Sequence, residues 1–151
     1  MKSVLELLIS NFPLIENVTP NTSELDTHAT IFLKENEKLE HIVSFIKNDI
    51  KFVMLIDICG VDYPTNIKRF EVVYQFLNLE DNLRLTLKLQ TSEESPVPTI
   101  TNIHSSAGWF ERETFDMYGI KFAGNKDLRR ILTDYDFEGF PLRKDFPLTG
   151  F

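Results

Sequence analysis

Only one cysteine, Cys59, occurs among the 151 residues. That excludes an intramolecular disulfide, and with it an iron–sulfur cluster held by four cysteines of this chain. Histidine is nearly as scarce: His28, His41 and His104 lie far apart and make no metal-ligand spacing. Neither a Gly-rich phosphate loop nor a Ser/His/Asp signature is present. No apolar run approaches the ~20 residues of a membrane-spanning helix. The longest, Phe52 to Val61, contains Asp57. The N-terminus lacks arginine, carries Glu6, and reads as neither a signal peptide nor a mitochondrial presequence. A net charge of −7 lacks the basic excess that a nucleic-acid binder uses to displace counterions.

What is there suffices for one domain with its own core. Val4, Leu5, Leu7, Leu8 and Ile9 predict a short amphipathic helix, and Asn11 to Thr27 reads as loop. His28 to Leu33 suits a strand. Leu39, Ile42, Val43 and Ile46 fall at helical spacing within Glu37–Lys47, with Asn36 placed to cap the start and Lys47 placed to suit the C-terminal dipole. Phe52 to Cys59 is short, apolar and β-branched, and predicts a buried strand with Cys59 as a small core residue. Gly60 to Asn66 reads as loop. Phe70, Val72, Tyr74 and Phe76 predict another strand, and Leu83, Leu85, Leu87 and Leu89 a half-exposed one. The short Glu80–Asn82 connection makes these two an antiparallel hairpin. Thr91 to Pro98 reads as loop. The class is α+β: two layers, helices packed on a mixed, mostly antiparallel sheet, with an irregular extended C-terminal tail. Residues 1–27 form an N-terminal helix and loop, 28–108 the core, and 109–151 a further helix and the tail, all in one domain.

The stretch from Trp109 to Phe151 mixes charges, aromatics, glycines and prolines too closely to bury one clean face of its own. Glu111, Glu113 and Asp116 cluster on a predicted helix that Ser106 can cap and Gly119 can end. Paired carboxylates can bind a divalent cation or do acid–base work. The preferred reading is a salt-bridged helix face, with Arg112 as the i, i+4 neighbour of Asp116. Further on, Arg129 and Arg130 sit between Leu128 and Ile131, and Arg143, Lys144 and Asp145 sit between Pro141 and Pro147. Arginine among aromatics and prolines is the composition of an interface core, so the tail is read as docked.

These residues carry a resemblance. Ala107 to Glu113, Asp116 to Ile120, Asp127 to Tyr135, Phe137 to Gly139 and Pro141 to Gly150 closely resemble the signature of the NuoC-type hydrophilic subunit of respiratory complex I, in mitochondria NADH dehydrogenase subunit 9. Leu55 to Pro64 and Arg69 to Tyr74 agree with it. The resemblance implies a subunit that carries no cofactor or redox centre and no catalytic residue of its own. It would support a proton-translocating NADH:ubiquinone reductase in the quinone module of the peripheral arm. The expected partners are the large subunit that shapes the quinone pocket and the small subunit that holds the terminal iron–sulfur cluster. The signature residues Trp109, Glu111, Arg112, Glu113, Asp116, Arg129, Arg130, Asp134, Tyr135, Arg143, Lys144 and Asp145 would be structural and interfacial. Asn125 and Phe140 depart from the family, which usually has histidine there, and the chain stops at Phe151 where relatives continue. Abundant Phe, Ile, Asn and Lys point to a matrix-facing place on the mitochondrial inner membrane, with the cytoplasmic side of a bacterial membrane second. Alternatives are the related subunit of a photosynthetic complex I or of a membrane-bound hydrogenase, or a metal-dependent enzyme using Glu113 and Asp116.

Overall fold

A computed structural model describes residues 1–20 and 26–147. The expected loop residues Asn21–Leu25 and the end of the signature, Leu148–Phe151, lie outside them.

The order is α1 (Lys2–Asn11), β1 (Ile15–Asn17), β2 (His28–Leu33), a 3₁₀ turn (Asn36–Lys38), α2 (Leu39–Asn48), β3 (Met54–Asp62), β4 (Phe70–Asn78), β5 (Leu83–Thr91), β6 (Val97–Pro98), α3 (Ala107–Tyr118) and β7 (Phe122–Ala123). Five strands form one sheet in the order β1-β2-β5-β4-β3. Within this sheet, among the described residues, only β2 and β5 run parallel, and the chain between them contains α2, β3 and β4. The remaining pairs of this sheet are antiparallel, so the sheet is mixed and mostly antiparallel, as expected of the α+β class.

Alternation sets the core. Ala29, Ile31 and Leu33 of β2 share a face with Leu85, Leu87 and Leu89 of β5 and with Phe70, Val72, Tyr74 and Phe76 of β4. Against this face α2 buries Leu39, Ile42, Val43 and Ile46, the four residues its spacing selects, and α1 adds Leu8. Each such side chain contributes ~1.5–3 kcal/mol when withdrawn from water. The opposite face carries a polar ladder: the His28 ring meets the Thr86 hydroxyl at 2.8 Å, and that hydroxyl donates to Gln75 at 2.7 Å.

Several expectations need correction. Ile15–Asn17 is a strand inside the expected loop, because it pairs with β2. Val97–Pro98 and Phe122–Ala123 form a parallel pair too short to leave a periodic signal. The strand read as buried is an edge strand: β3 has β4 on one side only, alternates in burial, and continues to Asp62. Cys59 is therefore exposed rather than a core residue. Conversely β5 is central, and its polar-side Thr86 is buried. Asn36 does not cap; its amide donates to the Gln90 carbonyl at 2.8 Å, and Lys47 donates to the Ile103 carbonyl at 2.7 Å. Ser106 stands at the start of α3 without a side-chain cap.

Candidate functional site

Helix α3 is unusual in what it buries. Glu111, Arg112, Thr114 and Asp116 are its buried polar residues, while Glu113 is exposed. A buried charge must be paired or fully hydrogen-bonded; the chain beyond Ala123 supplies the partners of Arg112 and Asp116, and Thr99, Ile100 and Asn125 those of Glu111.

Asp116 is the central knot. One carboxylate oxygen accepts the backbone N–H groups of Ile131 (3.0 Å), Leu132 (2.7 Å) and Thr133 (3.0 Å). The other accepts the Thr133 hydroxyl and Arg130 Nη1, the latter at 2.9 Å. Burial alone would raise this carboxyl's pKa, but the hydroxyl and three amides outweigh it and hold it well below the usual range. The expected Arg112–Asp116 pair does not form. Arg112 turns to the Arg130 carbonyl at 3.0 Å and to Asp127 at 3.6 Å, and its guanidinium lies 5.2 Å from the Trp109 ring centroid.

A helix C-terminus leaves its last carbonyls without partners. Here the tail satisfies three of them. Asp116 O accepts from Arg130 Nη1 at 2.9 Å, Met117 O from Leu142 N at 3.0 Å, and Tyr118 O from Arg143 Nε at 2.7 Å. Both arginines also place positive charge at the negative end of the dipole. The helix ends at Gly119, as its position suggests, with φ +78°. A Cβ there would stand 2.6 Å from Arg143 Nη2 and 2.7 Å from the Phe140 ring. Phe140 lies under both guanidiniums, 4.7 Å from that of Arg130 and 4.5 Å from that of Arg143. Phe140 thus forms an aromatic floor between two arginines.

A second knot ties the tail to the sheet. Arg69 binds Asp62 through two nitrogens, at 2.6 and 2.8 Å, and reaches Asp145 at 2.9 Å. Lys144 N also donates to Asp62, at 2.8 Å. The Arg69 bond, with the Lys144 amide behind it, holds the Asp62 carboxyl below its usual pKa. Glu111 makes the third knot. It accepts from the Thr99 hydroxyl (2.6 Å), Ile100 N (3.0 Å) and the Asn125 amide (2.9 Å). Burial raises its pKa, and these three hydrogen bonds offset that only in part. Asn125 is thus a neutral donor to a buried carboxylate.

The acids of α3 therefore do not converge. Glu111 and Asp116 are occupied at separate places, and Glu113 faces outward. Among the described residues no group of three or more His, Cys, Asp or Glu could hold a metal ion. Cys59 is disfavoured as a thiolate by partial burial and by Asp57, Glu113 and Glu71. What the knots do present is a face. Trp109 is 64% exposed, Leu132 65% and Tyr135 80%. Arg129, paired to Asp127 at 2.7 Å and to the Tyr135 hydroxyl at 3.4 Å, joins them, with Asp134 and Lys144 also exposed. The expected site thus divides: Glu111, Arg112, Asp116, Arg130, Arg143 and Asp145 bind within the chain, while Trp109, Glu113, Arg129, Asp134, Tyr135 and Lys144 project. Asp62, Arg69 and Thr133 were missed as site residues, although Asp62 and Arg69 stand in the agreeing upstream blocks.

Comparison with known proteins agrees over most of the chain. Residues 32–151 match the family described as "Respiratory-chain NADH dehydrogenase, 30 Kd subunit". The C-subunit of the NADH-quinone oxidoreductase of Maricaulis maris is 56% identical over 117 residues, 76% of this chain and 58% of that protein. Its counterpart in Mesorhizobium japonicum is 55% identical over 119 residues, 78% of this chain and 59% of that protein. The chain thus matches under three fifths of these relatives' length. Among solved structures, a chain of the archaeal membrane-bound sulfane sulfur reductase shares the fold, with a TM-score of 0.82 and 22% identity over 97% of this chain and 85% of that one.

Proposed function

The chain belongs to the family of the 30 Kd subunit of respiratory-chain NADH dehydrogenase, and from that premise we propose that it is a non-catalytic structural subunit of a proton-pumping NADH:quinone oxidoreductase. It docks in the peripheral-arm quinone module, beside the large subunit that shapes the quinone pocket and the small subunit that holds the terminal iron–sulfur cluster. The observation that carries this reading is the exposed aromatic and arginine face on a tail that its own domain already holds rigid. Tyr, Trp and Arg are the residues that dominate interface energetics. A preordered tail binds without losing loop entropy at that moment. No helix among the described residues is long and apolar enough to cross a membrane. In the assembly proposed here, neighbouring subunits hold the chain at the membrane, with the composition favouring the mitochondrial matrix side over a bacterial cytoplasmic one.

Affinity purification of the chain from its native membranes tests the reading. Flavin- and iron–sulfur-bearing subunits and NADH:quinone reductase activity should come with it. A chain that elutes alone, or with subunits that take electrons from another donor such as hydrogen, would sink it.

A further inference from the structure

Strand β3 has a free edge. It ends the sheet, and no strand among the described residues pairs with its outer side. Natural edges exposed to water are commonly blunted with lysine or proline, yet no residue from Val53 to Val61 is basic or proline. Val53, Met54 and Ile56 are instead apolar and exposed, by 51, 44 and 37%. The bulge between Leu55 and Asp57 turns this stretch outward.

A groove follows the edge. Its first hollow, about 600 Å³, lies between Val53–Ile56 and Ser105–Ser106 just before α3. The second, about 100 Å³, lies between Asp57–Gly60 and Glu113, Met117 and Leu142. The first ends at Ile56 and the second begins at Asp57. Over Val53–Ile56, about 13 Å at ~3.3 Å per strand residue, one wall is a strand edge, which another backbone in extended form matches best. Beyond it α3 covers the edge: the Thr114 hydroxyl donates to the Ile58 carbonyl at 3.4 Å. Charge narrows the choice. Asp57 and Glu113 line the second hollow, and neither has a hydrogen-bond or ion-pair partner among the described residues, whereas nearby Glu71 is paired with Lys88 at 3.8 Å. A second copy of this chain would bring the same acids and another −7 of net charge to the contact.

We infer that the β3 edge over Val53–Ile56 and the hollows beside it receive an extended segment of a neighbouring polypeptide, pairing with this stretch, with apolar side chains seated against Met54 and Ile56 and a lysine or arginine against Asp57 and Glu113. This surface is separate from the tail face, and its test rests on the assembly proposed above. A benzophenone side chain is placed at Ile56, and separately at Tyr135, in the full chain purified with its native partners, and cross-linked peptides are sequenced. Ile56 should capture one segment of another subunit that alternates apolar and basic residues. Amides of Val53–Asp57 should exchange at least ~10-fold more slowly in the assembly than in the isolated chain. The Asp57→Lys, Glu113→Lys double variant should lower the cross-linking yield about tenfold with unchanged melting of the chain. Capture at Tyr135 with none at Ile56, capture only of this chain's own peptides at Ile56, or unchanged exchange along β3 overturns the inference and leaves the assembly standing. No capture at either position overturns both.

Discussion

At the scale of single residues, Asp116 is the position on which most depends. Its buried carboxylate serves a guanidinium, a hydroxyl and three amides at once. Asp116→Asn keeps the size but removes the charge and turns an N–H₂ toward donors. Breaking one side of a buried pair costs about 3–5 kcal/mol, so the variant should lose roughly that much stability in urea titrations. Its tail should become cleavable near Arg129 and Arg130 under limited proteolysis while β2, β4 and β5 stay protected. A second residue sets a pH response. His104 is buried, lies 5.8 Å from Phe76 ring to ring, and its Nε2 has no hydrogen-bond partner. Burial, then nearby Lys47, lowers its pKa in the folded state. The unfolded chain therefore takes up the proton first. Stability is complete above the unfolded value of ~6.5 and declines as pH falls below it. His104→Phe should match the native chain within ~1 kcal/mol at pH 8 and lose that part of the acid decline. Thermal melts from pH 8 to pH 5 compare the two slopes, and parallel slopes would count against the assignment.

At the scale of elements, what was legible in the sequence follows from periodicity. Helix α2 and strands β2, β4 and β5 each bury a regular set of apolar side chains, so their spacing announced their type and their inward face, though not that β5 stands in the middle of the sheet with Thr86 buried. The edge strand β3 was misread because an apolar run looks the same whether water or another chain covers its outer side. Helix α3 shows the opposite case: its existence and its end at Gly119 were legible, but its buried face is polar. The partners of its buried charges lie 11 to 18 residues away on either side, from Ile100 for Glu111 to Arg130 for Arg112. Local spacing instead paired Arg112 with Asp116, because i, i+3 and i, i+4 pairs are all that a helix alone can show. The end of α3 permits a test of how element and tail are joined. Gly119 is required by its φ of +78° and by the 2.6 Å that a Cβ would leave to Arg143. Gly119→Ala strains the backbone and displaces Arg143 from the Tyr118 carbonyl together. A loss of about 1–3 kcal/mol is expected, read by chemical denaturation. A variant as stable as the native chain would show that the tail, not the glycine, fixes the turn.

At the scale of the whole molecule, the same tail holds the fold and faces outward, and the two roles are separable by which side chains are cut. Arg130 and Arg143 face in, closing the C-terminus of α3; Arg69 reaches out from the sheet to Asp62 and Asp145. Trp109, Leu132 and Tyr135 face out; of the three only Trp109 meets a buried group, its exposed ring lying 5.2 Å from the Arg112 guanidinium. Truncating an exposed side chain usually changes stability by no more than ~0.5 kcal/mol, whereas truncating an aromatic anchor at the centre of an interface costs ~2 kcal/mol or more, about 30-fold in affinity. Trp109→Ala and Tyr135→Ala should therefore leave the isolated chain's melting nearly unchanged and still weaken its incorporation into the assembly. Arg130→Ala should lower both together, since it frees Asp116 and the tail with it. Pairing differential scanning calorimetry of each variant with its recovery in purified assemblies separates the cases. If Trp109→Ala and Tyr135→Ala assemble at native levels, the outward face is not the docking surface, and the buried arginines are then structural alone.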